Sequence, residues 1–145
     1  MASQELTVEM VVQRLGITPR TLHYYEEVGL ISPVRRTSGG HRLYDDRTVA
    51  QLEQIMRLKE TLGYSLQEIK QVLSVEEAMD SYRQDLGGNL TVEERRKILE
   101  SSVQMLGDLV RQIDTKVGRL VQMKDAYQVR IVRAQEMIQE LQDDP

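Results

Sequence analysis

Between Leu99 and Leu141 apolar residues recur in alternating steps of four and three. The row is Leu99, Val103, Leu106, Val110, Ile113, Val117, Leu120, Lys124, Tyr127, Ile131, Ala134, Ile138 and Leu141, and Lys124 alone breaks it. A period of 3.5 held over about six heptads specifies a left-handed coiled coil. Thr91-Val-Glu-Glu94 opens the helix as a capping box, and no proline follows until Pro145. At 1.5 Å per residue the rod would be roughly 75 Å long. A chain of 145 residues cannot cover such a stripe from within. Each buried Leu or Val contributes on the order of 1.5–3 kcal/mol, so the row predicts a homodimer. Leu99, Val103, Leu106, Val110, Ile113, Val117 and Leu120 are its expected dimerisation seam. The direction of pairing stays open. Val or Ile at 103, 110, 117, 131 and 138 favours parallel strands, but the flanking positions form no charge ladder for either arrangement. Leu109, Val121, Met123 and Met137 widen the stripe beyond the seam.

The remainder of the chain is built differently. Formal net charge is −4, which opposes a general polycation. The acidity is local: residues 1–74 carry nine Lys/Arg and nine Asp/Glu, and residues 75–145 carry ten against fourteen. Within residues 14–47, Arg14, Arg20, Arg35, Arg36, Arg42 and Arg47 outnumber four acids. A local arginine surface suits phosphate and base contacts.

That surface coincides with a helix of designed ends. Thr18 can cap the first turn, Pro19 suits the first helical position and Gly29 suits the stop. Leu22, Tyr25 and Val28 mark a buried face, which turns Arg20, Thr21, His23 and Tyr24 outward. Before it, Leu6-Thr7 reads as a short strand or lead-in. Thr7 caps a helix with Val8, Val11, Val12 and Leu15 inward, and Gly16-Ile17-Thr18 makes the turn. Two short helices across such a turn form a helix-turn-helix whose second member fits a DNA major groove. Two packed helices without a ligand are the bland alternative. After it, Ile31–Arg36, a Thr37-Ser-Gly-Gly40 turn and His41-Arg42-Leu43-Tyr44 predict a two-stranded ribbon carrying arginines. Such a ribbon is either a DNA-contacting wing or a solvated hairpin.

Asp45 or Asp46 can cap a third helix with Val49, Leu52, Ile55, Met56 and Leu62 inward, ended by Gly63. Ser65-Leu-Gln-Glu68 is a capping box for a fourth helix with Leu66, Ile69, Val72 and Leu73. Ser74-Val-Glu-Glu77 is another, predicting a separate fifth helix over 74–86 that Gly87-Gly88-Asn89 ends. The expected organisation is therefore 1–74, a DNA-binding domain; 75–90, a linker helix and loop; and 91–145, the dimerisation helix.

Residues 6–73 resemble the DNA-binding region of the MerR family of bacterial transcription regulators. The resemblance lies in Ile17-Thr-Pro-Arg-Thr-Leu22, Tyr24-Tyr-Glu-Glu-Val-Gly-Leu30, Arg42-Leu-Tyr44 and Leu62-Gly-Tyr-Ser-Leu-Gln-Glu-Ile69, in the family's order and spacing. His23 and His41 depart from the family's usual arginine and aromatic. The resemblance implies a mainly α fold, a winged helix-turn-helix DNA-binding domain followed by a long coiled-coil dimerisation helix, paired antiparallel. It implies DNA contacts from Arg20 and Tyr24, with Thr21 and His23 beside them. It adds Arg36, His41, Arg42 and Tyr44 on the first wing, and Lys59 and Tyr64 near the second. Tyr25 is assigned to the core. The implied partners are a promoter operator in double-stranded DNA, a second copy of the chain and RNA polymerase at a promoter whose two elements are spaced too far apart.

Other expectations are narrower. With no cysteine, disulfides, thiolate metal sites and iron–sulfur clusters are excluded, and no cofactor or metal is expected. No nucleophile–base pair or phosphate loop suggests an enzyme. The N-terminus lacks an apolar signal core and no run approaches a membrane span, so a cytoplasmic location without membrane contact is expected. Met79, Tyr82, Leu86, Met105 and Leu109 are a candidate lining for a small organic ligand, with ordinary packing the favoured reading of the methionines. A coiled-coil interaction protein with incidental DNA binding is the alternative function.

Overall fold

Thr7 serves two elements at once in the computed structural model, which describes residues 4–145. Its backbone ends β1 (Leu6–Thr7), and its side chain accepts from Met10 N at 3.2 Å to cap α1 (Val8–Leu15). Gly16, at φ 67°, closes α1 with its N–H on Val12 O. Thr18 then accepts from Thr21 N at 3.1 Å and starts α2 (Pro19–Glu27) with proline in the first turn. Val11, Leu22 and Tyr25 are buried where the two helices meet. Leu30 and Ile31 continue this core beyond the helix.

The ribbon forms as β2 (Arg35–Arg36) and β3 (Arg42–Tyr44), joined by a turn in which Gly40 N donates to Thr37 O at 2.9 Å. It is not the two-stranded object the sequence suggested. β1 pairs antiparallel with the other edge of β3, giving the order β1-β3-β2 with Leu6 opposite Tyr44 and Arg35 opposite Leu43. Burial explains the third strand: Leu6 and Tyr44 are sealed together at the core, and the pairing satisfies backbone groups that a lone edge would leave open.

Asp45 caps α3 (Asp46–Met56) by accepting from Thr48 N at 3.0 Å. Val49, Leu52 and Ile55 are buried as expected, but Leu62 is 53% exposed and Leu58 takes the inward place. The cause is a wide π-helical turn over Arg57–Thr61. Such a turn holds an additional residue, so the position seven beyond Ile55 rotates out of phase with the core. Gly63, at φ 65°, then reverses the chain.

Ser65 and Glu68 form the expected reciprocal capping box, with bonds of 3.2 and 3.4 Å, and open α4 (Leu66–Leu86). α4 runs on through Ser74, so the separate helix expected over 74–86 is its second half. No glycine or proline interrupts residues 66–86, and a capping box signals a start only where the preceding residue has left the helix. The chain divides into two compact units, with the division after Asp80 inside α4.

In the second unit, Thr91 and Glu94 complete another capping box and open α5 (Val92–Asp143), 52 residues long. No residue of α5 is buried in the single chain. Its seam residues are exposed, from 39% at Ile113 to 76% at Leu141. Among the described residues, no helix is long and apolar enough to cross a membrane.

Candidate nucleic-acid interface

α2 has two faces of opposite character. Leu22 and Tyr25 are sealed inward, while Arg20, His23 and Tyr24 stand outward, Tyr24 at 46% exposure. Among the described residues Arg20 has no ion-pair partner. Its charge is therefore not engaged within the fold. Thr21 is half-buried, and its hydroxyl lies 3.0 Å from that of Thr18, so it is partly absorbed by the cap.

The wing arginines are held differently. Arg35 forms a bidentate pair with Glu5, at 2.6 and 2.7 Å, which ties the start of β1 to β2. Fixed beside that guanidinium, the Glu5 carboxyl is held below its usual value. Arg36 and Arg42 converge on one carboxylate. Glu26 Oε1 lies 3.7 Å from Arg36 Nη2, and Glu26 Oε2 lies 2.5 Å from Arg42 Nε. Arg42 Nε is buried without an aligned hydrogen bond, so this short contact is an ionic one, made off the N–H direction. Arg36 Nη1 also donates to Gly40 O at 3.3 Å, bracing the turn. His41 is exposed at that turn, its N–H donated to Thr37 Oγ1 at 3.1 Å.

Tyr44 must be withdrawn from the DNA-contacting set. It is 0% exposed and donates its hydroxyl to Glu26 Oε2 at 3.4 Å. Burial, then the neighbouring Glu26 charge, pushes its phenol up to about 12. The sequence motif placed it on a wing strand, where it shares the face of Arg42 and reaches the same Glu26 oxygen, but the β1 pairing sets Leu6 opposite Tyr44 and closes over it.

Lys59 is exposed on the wide turn, its Nζ 5.8 Å from the Tyr25 ring centre, and the Tyr25 ring lies 5.8 Å from that of Tyr24. Lys59 thus lies exposed beside α2 at Tyr25. Tyr64 is half-buried beyond Gly63, its N–H donated to Leu58 O at 2.9 Å. Arg14 pairs with Asp46 at 3.3 Å and Arg47 with Asp80 at 3.7 Å. Glu26 is the residue that sequence reasoning passed over. Its signal was present: an acid in the last turn of α2, where the helix dipole disfavours negative charge, asks for a cationic partner.

The other expected sites resolve as follows. In the second unit the Tyr82 hydroxyl meets Met105 Sδ at 3.7 Å, and Tyr82, Leu86, Met105 and Leu109 are half-buried. Met79, in the first unit, is half-buried as well. The Tyr82–Met105 contact is a hydroxyl-to-sulfur hydrogen bond. Among the described residues, no cluster of three or more His, Asp or Glu is arranged to hold a metal.

The chain is similar in sequence to known proteins. Residues 6–76 match the family model described as MerR HTH family regulatory protein. The chain is 31% identical over 137 residues to the HTH-type transcriptional regulator YfmP of Bacillus subtilis, covering 94% of this chain and 98% of that one. It is 50% identical over 58 residues to the nodulation protein NolA of a Bradyrhizobium species, but spans 24% of that longer protein. Among solved structures, the N-terminal part of the Bacillus subtilis multidrug transporter activator, MtaN, has a TM-score of 0.43 and 29% identity over 77% of this chain and 97% of that one. The family match covers both helices, the wing and the second turn, and the YfmP alignment extends along nearly the whole of each sequence: the chain belongs to the MerR family of helix-turn-helix transcriptional regulators.

Proposed function

We propose that two copies of this chain pair through α5 and bind an inverted-repeat promoter operator, one half-site per copy, with an antiparallel coil between them. The observation that carries the reading is the split character of α2: Leu22 and Tyr25 buried, Arg20, His23 and Tyr24 presented outward beside a wing of arginines. Arg20, with His23 and Tyr24, reads base edges or phosphates in the major groove. Arg36, His41 and Arg42 follow the backbone from the wing, and Lys59 and Tyr64 do so near the second turn. The seam of α5, exposed along its length in one chain, supplies the contact that sets the spacing of the two readers. Distorting the duplex costs on the order of 1–6 kcal/mol, which the backbone contacts offset. That distortion brings both promoter elements to RNA polymerase. The protein acts in the cytoplasm, where its DNA is.

Selection of bound duplexes from a random DNA pool tests this. The expected result is a motif with dyad symmetry whose affinity falls steeply with salt. A motif without a dyad, or binding indifferent to salt, overturns it. A second reading has its own observation: Val121, Met123, Val129, Val132 and Met137 are exposed on α5 outside the seam. It makes α5 the working part, a surface for another protein, with DNA binding incidental. Under that reading Arg20→Ala leaves function intact.

A further inference from the structure

Glu26 is an unexpected residue for a surface that meets DNA. Its charge repels phosphates, and at the end of α2 it opposes the helix dipole, with no basic residue in that turn to offset it. Its side chain is only 17% exposed. Yet three groups of the wing gather on its two oxygens: Arg36 at 3.7 Å, Arg42 at 2.5 Å and the Tyr44 hydroxyl at 3.4 Å. Arg36 and Arg42 face each other across the β2–β3 pair, so one carboxylate grips both strands of the ribbon and joins them to α2.

We infer that Glu26 is a positioning residue for DNA discrimination: it clamps the wing arginines at a fixed angle to α2 and keeps part of their charge engaged until a correctly shaped duplex takes it over. This rests on the DNA-binding reading above. Two consequences follow from the charges. Two guanidiniums sharing one anion present less free positive charge to an arbitrary duplex, so Glu26 weakens nonspecific binding. A wing fixed to α2 lets base contacts and backbone contacts be made together only on a matching site, so Glu26 strengthens specific binding. Discrimination gains from both sides. Positioning alone, without the charge, would give only the second.

The test compares the full-length wild type with Glu26→Gln and Glu26→Asp. Each is titrated with the duplex selected from a random pool and with a scrambled duplex of equal length, over a series of salt concentrations. For Glu26→Gln the ratio of specific to nonspecific affinity is expected to fall about tenfold. Nonspecific affinity rises, and the salt dependence steepens by up to about one phosphate equivalent, roughly 0.9 in the logarithmic slope. Glu26→Asp keeps the charge but not the reach; it is expected to keep the wild-type slope and lose part of the discrimination. Circular dichroism and thermal melting show whether each variant is folded. The inference is overturned if the ratio is unchanged in Glu26→Gln. It is equally overturned if the ratio falls only in step with lost folding while the slope stays constant. Failure of the underlying DNA-binding reading looks different: the wild type itself would select no motif.

Discussion

Tyr44 donates its hydroxyl to Glu26 Oε2 at 3.4 Å from a position with no solvent exposure. A residue that a family motif places on the DNA-facing wing is thus part of the core, and its polar end is spent inside the protein. Tyr44→Phe should leave operator affinity within about twofold of wild type and cost on the order of 1 kcal/mol or less in stability, since the bond is long. Tyr44→Ala removes the ring and should cost roughly 3–5 kcal/mol. Urea unfolding beside gel shifts separates these effects. Loss of DNA binding in a stable Tyr44→Phe variant would return the hydroxyl to the interface.

The same phenol gives a pH prediction. Its value rises from 10.0 in the unfolded chain to about 12 in the fold. Below pH 10 both states are protonated and the contribution of the buried neutral phenol is fully present. Between pH 10 and about 12 the unfolded chain ionises first, so stability is lost as pH rises, by at most roughly 3 kcal/mol. The wild type should therefore lose more stability than Tyr44→Phe between pH 9 and pH 12. Parallel curves would show that Tyr44 is not held neutral.

Arg20 and Arg42 should fail in different ways. Arg20 has no ion pair among the described residues, so Arg20→Ala should change stability by no more than about 0.5 kcal/mol and weaken operator binding by roughly 1–3 kcal/mol. Arg42→Ala also strips Glu26 of its nearer cation. It should lower the melting temperature as well as the affinity. Equal thermal effects from the two substitutions would contradict the distances at Glu26.

The absence of cysteine lets the pairing of α5 be read directly. Single cysteines at 103, 110, 117 and 131 should crosslink under oxidation only near the crossing point of an antiparallel pair. Efficient crosslinking at most of the four sites would show a parallel one. Sedimentation as single chains at working concentration would remove the dimer altogether.

Gly118 offers a gain. It lies inside α5 beside the seam residue Val117, and a Cβ there meets nothing within 4 Å. Gly118→Ala should stabilise the helix by up to about 1 kcal/mol. A drop in melting temperature would mean that another backbone lies against that position in the assembled protein.

The ends of elements were the legible part of this sequence. Thr7, Thr18, Ser65 and Thr91 all cap helices where their spacing said they would, and Asp45 rather than Asp46 caps α3. A cap is settled within three residues, so the sequence contains the whole interaction. What stayed hidden depends on residues far apart. β1 meets β3 across nearly the whole helix-turn-helix, and Glu26 gathers groups from residues 36, 42 and 44. Ser74 misled for the opposite reason: the local signal for a helix start was present, but nothing before it ended α4. At the interface, the outward face of α2 could be read from its period, whereas the removal of Tyr44 required the third strand to be known.

The wide turn at Arg57–Thr61 has a consequence for the length of the chain rather than its chemistry. Deleting one residue there would let the turn regularise to α-helix and rotate the residues between the deletion and Gly63 by about 100°. Substitutions in this segment leave the winding alone; a missing codon does not. Descendants of this gene can vary the exposed Arg57, Glu60 and Thr61 far more freely than they can vary the number of residues in the turn.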